Sequence, residues 1–295
     1  MHPFDHPAVA RLIATALEED LGRGDVTSLA TIPPDRTARG KITAKADLTI
    51  AGLPLIGQIL KVVDPAAGVR VLVAEGGAVK KGEVVVELWG NAVALLSAER
   101  TILNFLQHLS GVATLTRRFV DAVAGTACKI IDTRKTLPGF RLLDKYAVTQ
   151  GGGTNHRLGL DDGVLIKDNH IAVCGGVGAA VRQARSRASA LLRIEVECAT
   201  LAEVQEALDA RADIILLDNM ATLQISEAVR LASGRALLEA SGNMSLERVR
   251  EVAETGVDFI SVGALTHSAP AVDLSMAVTC TEVQSAKCKV RSHES

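Results

Sequence analysis

The stretch that decides the fold is RIEVECATLAEVQEALDARADIILLDN, which runs from Arg193 to Asn219. Two short apolar runs, each ending in polar residues, stand on either side of residues 201–210, where apolar positions recur at helical spacing. The helical segment is preceded by TLAE, beginning at Thr200, which is a capping box. A strand, a helix and a second strand in this order predict a βαβ unit with its two strands parallel.

The same pattern extends in both directions from this unit. Apolar runs that end in polar or glycine residues recur in KIIDTRK, VLIKDN, LLEASGN and FISVGAL, and residues 223–231 and 246–253 have helical spacing. From Arg193 onward the repeat is about 22 residues long. Six such units predict a complete or open, incomplete α/β barrel, with an open doubly wound sheet as the alternative. Both folds bind ligands at the carboxyl ends of the strands, so the site is expected there.

The first third of the chain has a different pattern of predicted helices and strands. Residues 9–17 show the spacing of an amphipathic helix, and residues 37–90 read as short strands with one helix at 55–62. Residues 97–123 are again helical in period, with a break expected at Gly111. We therefore predict an N-terminal α/β sandwich domain over 1–112, an α/β barrel domain over 113–272, and, over 273–295, a C-terminal helix that packs back on the N-terminal domain and ends in a polar tail.

Composition excludes several classes of function. A net charge of −2 with only 2% aromatic residues argues against nucleic acid as a partner, because nucleic-acid binders use positive charge and aromatic stacking. The five cysteines are odd in number and contain no C-x-x-C pair, which indicates neither a disulfide framework nor a zinc knuckle. No stretch has the pattern of a leader or of a membrane span. We therefore expect a cytoplasmic protein without a membrane partner.

Five cationic or potentially cationic side chains follow the predicted strands and converge on one rim: Arg134, Lys135, His156, Arg157 and Lys167. Such a set on one face is unfavourable unless an anion neutralises it, and arginine binds carboxylate or phosphate through two parallel hydrogen bonds. An acidic ligand is the natural inference. The alternative is a solvated face where the cations pair with neighbouring carboxylates, namely Asp132, Asp144, Asp161, Asp162 and Asp168.

Carboxylates lie on two neighbouring predicted strands. Glu195 and Glu197 are two residues apart and therefore share one face of a strand, which excludes a dry core on that face. Asp218 ends the next strand, so Glu197 and Asp218 together are suited to ribose hydroxyls or to hydrated Mg²⁺. The alternative for either carboxylate is an ion pair with Lys167 inside the barrel.

The last two predicted strands end in small residues, in EASGNMS and SVGALTHS. Glycine lets backbone N–H groups approach an anion closely, and the final two loops of α/β barrels are frequent phosphate sites. Ser241, Gly242, Asn243 and Gly263 are therefore candidates for binding phosphate, although ordinary turn chemistry explains either motif by itself.

Two further features suggest other functions. His156, His170 and His267 lack the paired spacing of a zinc site. The segment EGGAVKKGEVVVEL resembles the hammerhead turn of lipoyl and biotinyl carriers, but its lysines do not lie between two methionines as in biotin carriers. We interpret it as a shared shape without carrier function.

Several motifs taken together resemble one known family: EEDLGRGDVTS, ERTILNFLQHLSGVAT, DTRKTLPGFRLLDKYAVTQGGGTNHRLGLDDGVLIKDNHI, IEVE, LLDN, EASGN and GVDFISVGALTHS. The chain is similar to quinolinate phosphoribosyltransferase from about Ala16 to Ser275. The resemblance implies a type II phosphoribosyltransferase fold, which is a small sandwich domain plus an open barrel. It also implies the conversion of quinolinate and phosphoribosyl pyrophosphate into nicotinate mononucleotide, pyrophosphate and CO₂, with Mg²⁺, in NAD biosynthesis.

The resemblance also implies a role for each matching residue. Quinolinate and nearby phosphates are expected to contact Arg134, Lys135, His156, Arg157 and Lys167, with Thr133 beside them. Glu197 and Asp218 are expected to face the ribose and the metal, and Lys135, Lys167, Glu197 and Asp218 are the expected catalytic residues. The 5-phosphate is expected at Ser241, Gly242, Asn243, Val262, Gly263 and Ala264, with His267 close by. Arg100 is expected to reach the neighbouring subunit's active site, which implies a homodimer that is able to build hexamers.

Two alternatives stay open at this point. A related phosphoribosyltransferase on the same fold would act on nicotinate or another ring acid, and release of CO₂ would distinguish it. A non-catalytic ligand-binding or carrier module would bind no phosphoribosyl pyrophosphate.

Overall fold

The computed structural model describes residues 3–280. Its N-terminal part contains three helices, α1 (Pro7–Leu21), α2 (Val26–Thr31) and α3 (Leu53–Val63), and five strands, β1 (Thr37–Ala44), β2 (Leu48–Thr49), β3 (Gly68–Val71), β4 (Ala78–Val79) and β5 (Val84–Asn91). Strand β1 pairs antiparallel with β5, β5 pairs with β3, and β2 with β4 form a separate two-stranded sheet. Helix α1 buries Val9, Ile13 and Leu17, which confirms the amphipathic pattern.

Helix α4 (Ala92–Ala122) is 31 residues long and continues through Gly111 without interruption. The break predicted at Gly111 is therefore wrong. A Cβ atom at this position would lie 2.3 Å from the carbonyl oxygen of Pro270, so the glycine is explained by close packing and not by a helix end. Because one helix crosses residue 112, the division into domains at that residue stays a prediction.

The barrel part follows in alternating order: β6 (Lys129–Ile131), α5 (Arg141–Gln150), β7 (Val164–Ile166), α6 (Asp168–Cys174), α7 (Val177–Arg187), β8 (Ile194–Cys198), α8 (Leu201–Asp209), β9 (Ile214–Asp218), α9 (Thr222–Ala232), β10 (Leu237–Ser241), α10 (Val249–Ala253), β11 (Phe259–Ser261) and α11 (Ala264–His267). The six strands form one parallel sheet in the order β6-β11-β10-β9-β8-β7. The strands β6 and β7 are its edges, so the barrel is open. The predicted strands and the open α/β barrel are confirmed.

The chain then returns to the N-terminal sheet through β12 (Leu274–Cys280), which pairs antiparallel with β1 along its whole length. The helix predicted over 273–295 is therefore wrong for Leu274–Cys280, although this segment does pack back on the N-terminal domain. The edge of β1 has unpaired backbone N–H and C=O groups. A strand forms hydrogen bonds with these groups, whereas a helix does not. The predicted tail, residues 281–295, lies outside the described residues.

The first of three consecutive glycines after α5 packs the end of this helix against α4: a Cβ atom at Gly151 would lie 2.5 Å from the carbonyl oxygen of Ala113. Thr154 then forms a parallel bridge with Ile131 on the free side of β6, and the chain enters the loop that contains His156.

Within residues 3–280, no helix is both long and apolar enough to span a bilayer.

Candidate functional site

All six barrel strands run in the same direction, so their carboxyl ends meet at one edge of the sheet. The predicted site residues lie at or just beyond these ends: Thr133, Arg134 and Lys135 after β6, Lys167 after β7, Glu197 in β8, Asp218 in β9, Ser241 at the end of β10 with Gly242 and Asn243 after it, and Val262, Gly263 and Ala264 after β11. His156 and Arg157 reach the same region from the loop between α5 and β7. The fold thus gathers residues from distant parts of the sequence.

Two guanidinium groups from different loops are the strongest sign of an anionic ligand. Burial, followed by the positive charge of Arg134, lowers the pKa of Arg157 from its ordinary value. The Nε atoms of both arginines are buried and have no hydrogen-bond partner among residues 3–280. Since arginine stays charged in proteins, both Nε–H groups require acceptors that the described residues do not supply.

Arg141, on α5, ties the loops that present these two arginines. Its guanidinium donates to the carbonyl oxygens of Arg134 and Leu158, each at 3.4 Å, and to Oγ1 of Thr136 at 3.2 Å. Arg157 itself donates from Nη1 to the carbonyl oxygen of Gly163 at 2.9 Å. The main chain next to both arginines is therefore fixed by the protein before any ligand binds.

His156 is placed differently from the expectation that it contacts a ring carboxylate. Its Nδ1 accepts the backbone N–H of Arg157 at 2.7 Å, so the ring proton belongs on Nε2. Nε2 lies 3.0 Å from Oε2 of Glu195 and 3.5 Å from Oε2 of Glu239, both of which are buried. Both ring nitrogens therefore have protein partners in this structure, and the expected contact of His156 with a ring carboxylate stays a prediction.

His156, Glu195 and Glu239 also have the residue types of a metal site, with ligand atoms within 4.8 Å of one another. The hydrogen bond into Nδ1 argues against a metal, because a histidine ligand keeps a proton on the nitrogen that does not bind the ion. Burial, followed by the charge of Glu195, raises the pKa of Glu239 well above its ordinary value and favours its neutral form. The cluster is better described as a buried hydrogen-bonded network.

The predicted metal-facing carboxylates lie on adjacent strands. Oε2 of Glu197 lies 3.2 Å from Nζ of Lys167, so one alternative from the sequence, an ion pair with Lys167, is present. Asp218 instead accepts a hydrogen bond from the side-chain amide of Asn219 at 3.0 Å. Both carboxylates are partly accessible at the carboxyl edge, which leaves oxygen atoms available to a ligand.

The expected phosphate loop after β10 has an unusual backbone. Gly242 and Asn243 both have positive φ, at 95° and 47°. A Cβ atom at Gly242 would lie 2.2 Å from Oδ1 of Asn219, so only glycine fits without a shift in the neighbouring loop. The side-chain amide of Asn243 donates to the same Oδ1 at 3.3 Å, and Arg248 donates to the carbonyl oxygens of Gly242 and Met220. This loop is held rigidly against the end of β9.

The loop after β11 lies beside the loop after β6. Oγ1 of Thr266 donates to the carbonyl oxygen of Lys135 at 2.7 Å. A Cβ atom at Gly263 would lie 3.1 Å from Nε2 of His267 and 3.2 Å from Cδ of Lys135. Lys135, Gly263 and His267 are thus brought together, and their role in binding phosphate stays a prediction.

Arg100 is exposed on α4 and makes no ion pair within residues 3–280. No hydrogen bond of the described chain connects it to the cationic cluster. The structure of a single chain therefore does not bring Arg100 to the site.

A cavity of about 850 Å³ adjoins one side of the cluster. Its polar lining includes His156, Arg157, Glu195 and Glu239, and its apolar lining reaches Phe259 at the opposite end of the sheet. The cavity does not include the remaining cationic and acidic residues of the carboxyl edge. We therefore locate the candidate site at the strand ends, with the cavity beneath the loop that presents Arg157.

Sequence reasoning missed several residues that organise the site, among them Arg141, Asn219, Glu239 and Arg248. Glu239 is in the stretch LLEASGN and is related to Ser241 by the same two-residue spacing that singled out Glu195 and Glu197. The sequence therefore contains a pattern that would have predicted Glu239 on the same face as Ser241. The other three act on backbone carbonyls or neighbouring amides, and a sequence pattern does not show such contacts.

No described cysteine has the environment of a nucleophile at this edge. Burial raises the pKa of Cys128 and of Cys198 to about 12, which keeps both thiols protonated at neutral pH. Cys174 is exposed on α6, and Cys280 lies at the end of β12, far along the chain from the strand ends.

Comparison with known proteins decides the family. Residues 25–110 match the model described as the quinolinate phosphoribosyl transferase N-terminal domain, and residues 112–277 match the corresponding C-terminal domain. The chain belongs to the quinolinate phosphoribosyl transferase family. The resemblance of its motifs to this family is thereby confirmed.

Relatives in this family match over nearly the whole chain. A probable nicotinate-nucleotide pyrophosphorylase [carboxylating] of Bacillus subtilis is 41% identical and covers 97% of this chain and 98% of its own. The crystal structure of NadC from Streptococcus pyogenes is 38% identical, covers 96% of this chain and 99% of its own, and has a TM-score of 0.91. The nicotinate-nucleotide pyrophosphorylase from Francisella tularensis is 40% identical, covers 92% and 96%, and has a TM-score of 0.88. The fold of this quinolinate phosphoribosyl transferase family member is therefore that of solved enzymes.

Proposed function

We propose that this chain transfers the phosphoribosyl group of phosphoribosyl pyrophosphate to quinolinate and releases CO₂, giving nicotinate mononucleotide and pyrophosphate in NAD biosynthesis. The observation that carries the proposal is a pair of half-buried arginines, Arg134 and Arg157, whose buried Nε atoms lack protein acceptors. Two adjacent carboxylates on one ring match two such groups, because each carboxylate accepts paired hydrogen bonds from a guanidinium. Membership of the family and the names of its relatives support the same activity.

Phosphoribosyl pyrophosphate is proposed to lie across the neighbouring loops. Ser241, Gly242 and Asn243, with Val262, Gly263 and Ala264, would present backbone and side-chain donors to the 5-phosphate, and Lys135 and His267 lie beside them. Lys167 would serve both substrates, since it ends β7 next to Glu197. Because the arginines and these loops all lie at the carboxyl edge of the sheet, this arrangement would bring the pyridine nitrogen to the ribose carbon.

Mg²⁺ fits the carboxylates at the ends of β8 and β9. Glu197 and Asp218 offer hard oxygen ligands on adjacent strands, and Mg²⁺ prefers a few carboxylates together with phosphate oxygens and water. We propose that these two residues hold the ion, in part through water. When bound, Mg²⁺ would offset the charge that develops on the leaving pyrophosphate.

The chain's own residues contribute by positioning and by charge. Lys135 and Lys167 would stabilise the departing pyrophosphate, while Arg134 and Arg157 hold the ring acid in line with the ribose carbon. Positive charge on the ring nitrogen after transfer would then favour loss of the adjacent carboxylate. No described side chain is required as a covalent nucleophile, and Lys135, Lys167, Glu197 and Asp218 remain the proposed catalytic residues.

Removal of divalent metal provides a test of the proposed Mg²⁺ site. We expect EDTA to abolish formation of nicotinate mononucleotide and added Mg²⁺ to restore it. Asp218→Asn should raise the Mg²⁺ concentration for half-maximal rate by about tenfold, because one charged ligand is lost. Asp209→Asn, on the surface of α8, is the control. An unchanged Mg²⁺ dependence in Asp218→Asn would contradict the assignment.

We further propose that the chain forms a homodimer, able to build hexamers, in which Arg100 enters the partner's active site. Arg100 is exposed and has no ion-pair partner within residues 3–280, and apolar side chains near the carboxyl edge are also exposed, including Leu137, Leu160 and Val173. Exposed apolar groups around a polar cluster are typical of an interface between subunits.

Mixing two inactive variants tests this shared site. Arg100→Ala and Lys167→Ala are each expected to be inactive as homodimers. A mixed dimer would contain one intact site, so random mixing should restore about a quarter of the wild-type rate. Absence of recovery in a sample shown by native mass spectrometry to contain mixed dimers would contradict the proposal.

Localisation in the cytoplasm, with soluble small molecules as substrates, remains part of the proposal.

The nearest alternative activity is transfer to nicotinate or another ring acid with a single carboxylate, and the two guanidinium groups argue for two carboxylates. Purified protein should form nicotinate mononucleotide from quinolinate and phosphoribosyl pyrophosphate, and not from nicotinate. A non-catalytic carrier role would predict no product from either acid.

A further inference from the structure

We propose that Asp132 and Lys145 are positioning residues, whose buried ion pair fixes the peptide of His156 and thereby places the guanidinium of Arg157 against the ring acid. This inference rests on the proposed function. It assigns roles to two charged residues that contact no proposed substrate group but lie directly behind the loop that does.

The ion pair holds His156 through both backbone groups. Oδ1 of Asp132 accepts the N–H of His156 at 2.8 Å and also accepts a hydrogen bond from Nζ of Lys145. Nζ of Lys145 donates in addition to the carbonyl oxygen of His156 at 3.0 Å. With its amide nitrogen turned inward, Asn155 donates to Oδ2 of Asp132 at 2.7 Å. The peptide before Arg157 is therefore fixed from two sides.

The same contacts join three separate segments of the chain. Asp132 directly follows β6 and stands two residues before Arg134, whereas Lys145 lies on α5. The His156 peptide belongs to the loop beyond α5. The ion pair thus links the segment that presents Arg134 to the segment that presents Arg157, which sets the distance between the two guanidinium groups.

Burial of this ion pair is unfavourable in itself. Asp132 is fully buried and Lys145 is 2% exposed. Burial raises the pKa of Asp132 and lowers the pKa of Lys145, whereas the charge of each partner acts in the opposite direction. Since apolar residues of similar size often stabilise a core equally well, overall stability does not explain the pair. The fixed backbone next to Arg157 does explain it.

The side chain of His156 provides a second attachment. Its Nδ1 accepts the N–H of Arg157 and its Nε2 lies 3.0 Å from Oε2 of Glu195. Backbone and ring are therefore held by different elements of the barrel, α5 with β6 on one side and β8 on the other. Loss of the ion pair should shift this loop even when the rest of the barrel stays folded.

The double variant Lys145→Met/Asp132→Asn tests the inference, because it removes both charges without leaving one of them buried alone. We expect the KM for quinolinate to rise by about thirtyfold and the KM for phosphoribosyl pyrophosphate to change by less than about threefold. The control is Lys80→Met/Asp47→Asn, which removes a surface lysine–aspartate pair with an N–O distance of 2.8 Å in the N-terminal domain. This control should leave both constants unchanged.

The outcomes separate the inference from the proposed function. If the wild-type protein forms no nicotinate mononucleotide, the proposed function fails. If the wild type is active and the folded double variant keeps the wild-type KM for quinolinate, or if both KM values rise equally, the positioning role is wrong. Should the double variant not fold, the test uses Asn155→Ala, since Asn155 is exposed and its amide donates only to Oδ2 of Asp132 and to the carbonyl oxygen of Lys145. A selective rise in the KM for quinolinate supports the role, and an unchanged value refutes it.

Discussion

Arg134→Ala is expected to lower kcat/KM for quinolinate by about a thousandfold or more while the protein remains folded. The Nε atom of Arg134 is buried and has no protein acceptor. Substitution by alanine therefore removes a donor that is available to a ligand, and it breaks no described hydrogen bond of that side chain. The lost interaction is charge-assisted and lies in a partly buried site, where such contacts are stronger than in water. Steady-state rates with quinolinate as the varied substrate measure the effect.

Two comparisons make this result specific. Arg230→Ala, on the outer surface of α9, removes the same side chain far from the strand ends and should leave the rate and the melting temperature unchanged. Arg134→Lys keeps the charge but loses the planar pair of donors, so it should recover only part of the activity. Near-normal kcat/KM in folded Arg134→Ala would refute its role in binding the ring acid.

Lys167→Ala is expected to reduce kcat by at least about a hundredfold. Lys167 is half-exposed at the end of β7 and lies 3.2 Å from Glu197, so it stands between the proposed sites of the ring acid and of the metal. Its removal would leave the pyrophosphate without a counter-charge and Glu197 without its cationic partner. Stopped-time assays at saturating concentrations of both substrates measure kcat directly.

The controls for this variant address charge and folding separately. Lys61→Ala removes an exposed lysine from α3 and should behave like the wild type. The melting temperature of Lys167→Ala should fall by no more than a few degrees, because the ion pair with Glu197 is partly solvated and contributes about 1 kcal/mol or less. A folded Lys167→Ala enzyme with the wild-type kcat would exclude a catalytic role.

The strands of the barrel were predictable because each has the same local signature. An apolar run that ends in polar or glycine residues recurs six times, with helical segments between most of the runs, and each run proves to be a parallel strand. The site residues on those runs were predictable for the same reason, since parallel strands bring their carboxyl ends together. Arg100 and the individual role of each residue were predicted from the family motifs, because the spacing of residues alone does not indicate them.

Other features depend on contacts between distant segments. Gly111 reads locally as a helix break, yet it lies inside α4 because the chain near Pro270 approaches too closely for a side chain. Leu274–Cys280 becomes a strand because β1 offers an edge for pairing. Both outcomes are determined by tertiary partners that a local window does not include.

The orientation of His156 was beyond sequence reasoning for a related physical reason. A histidine beside arginine and lysine reads as one more cation at the rim, but its ring turns toward two glutamates on β8 and β10. Which of the two arrangements forms depends on the course of the loop after α5, and that course is set by the buried pair of Asp132 and Lys145. Arg134, Lys135, Arg157 and Lys167 follow the strand ends as the sequence predicts, and their binding roles are part of the proposed function.

The most direct test of the central claim is the stoichiometry of decarboxylation. Purified protein should be incubated with Mg²⁺, phosphoribosyl pyrophosphate and quinolinate labelled in its 2-carboxylate, and both CO₂ and nicotinate mononucleotide measured over time. We expect the two products to form in equal amounts and only when both substrates are present. Failure of a folded protein to release labelled CO₂, or release of CO₂ without nicotinate mononucleotide, would contradict the proposed reaction.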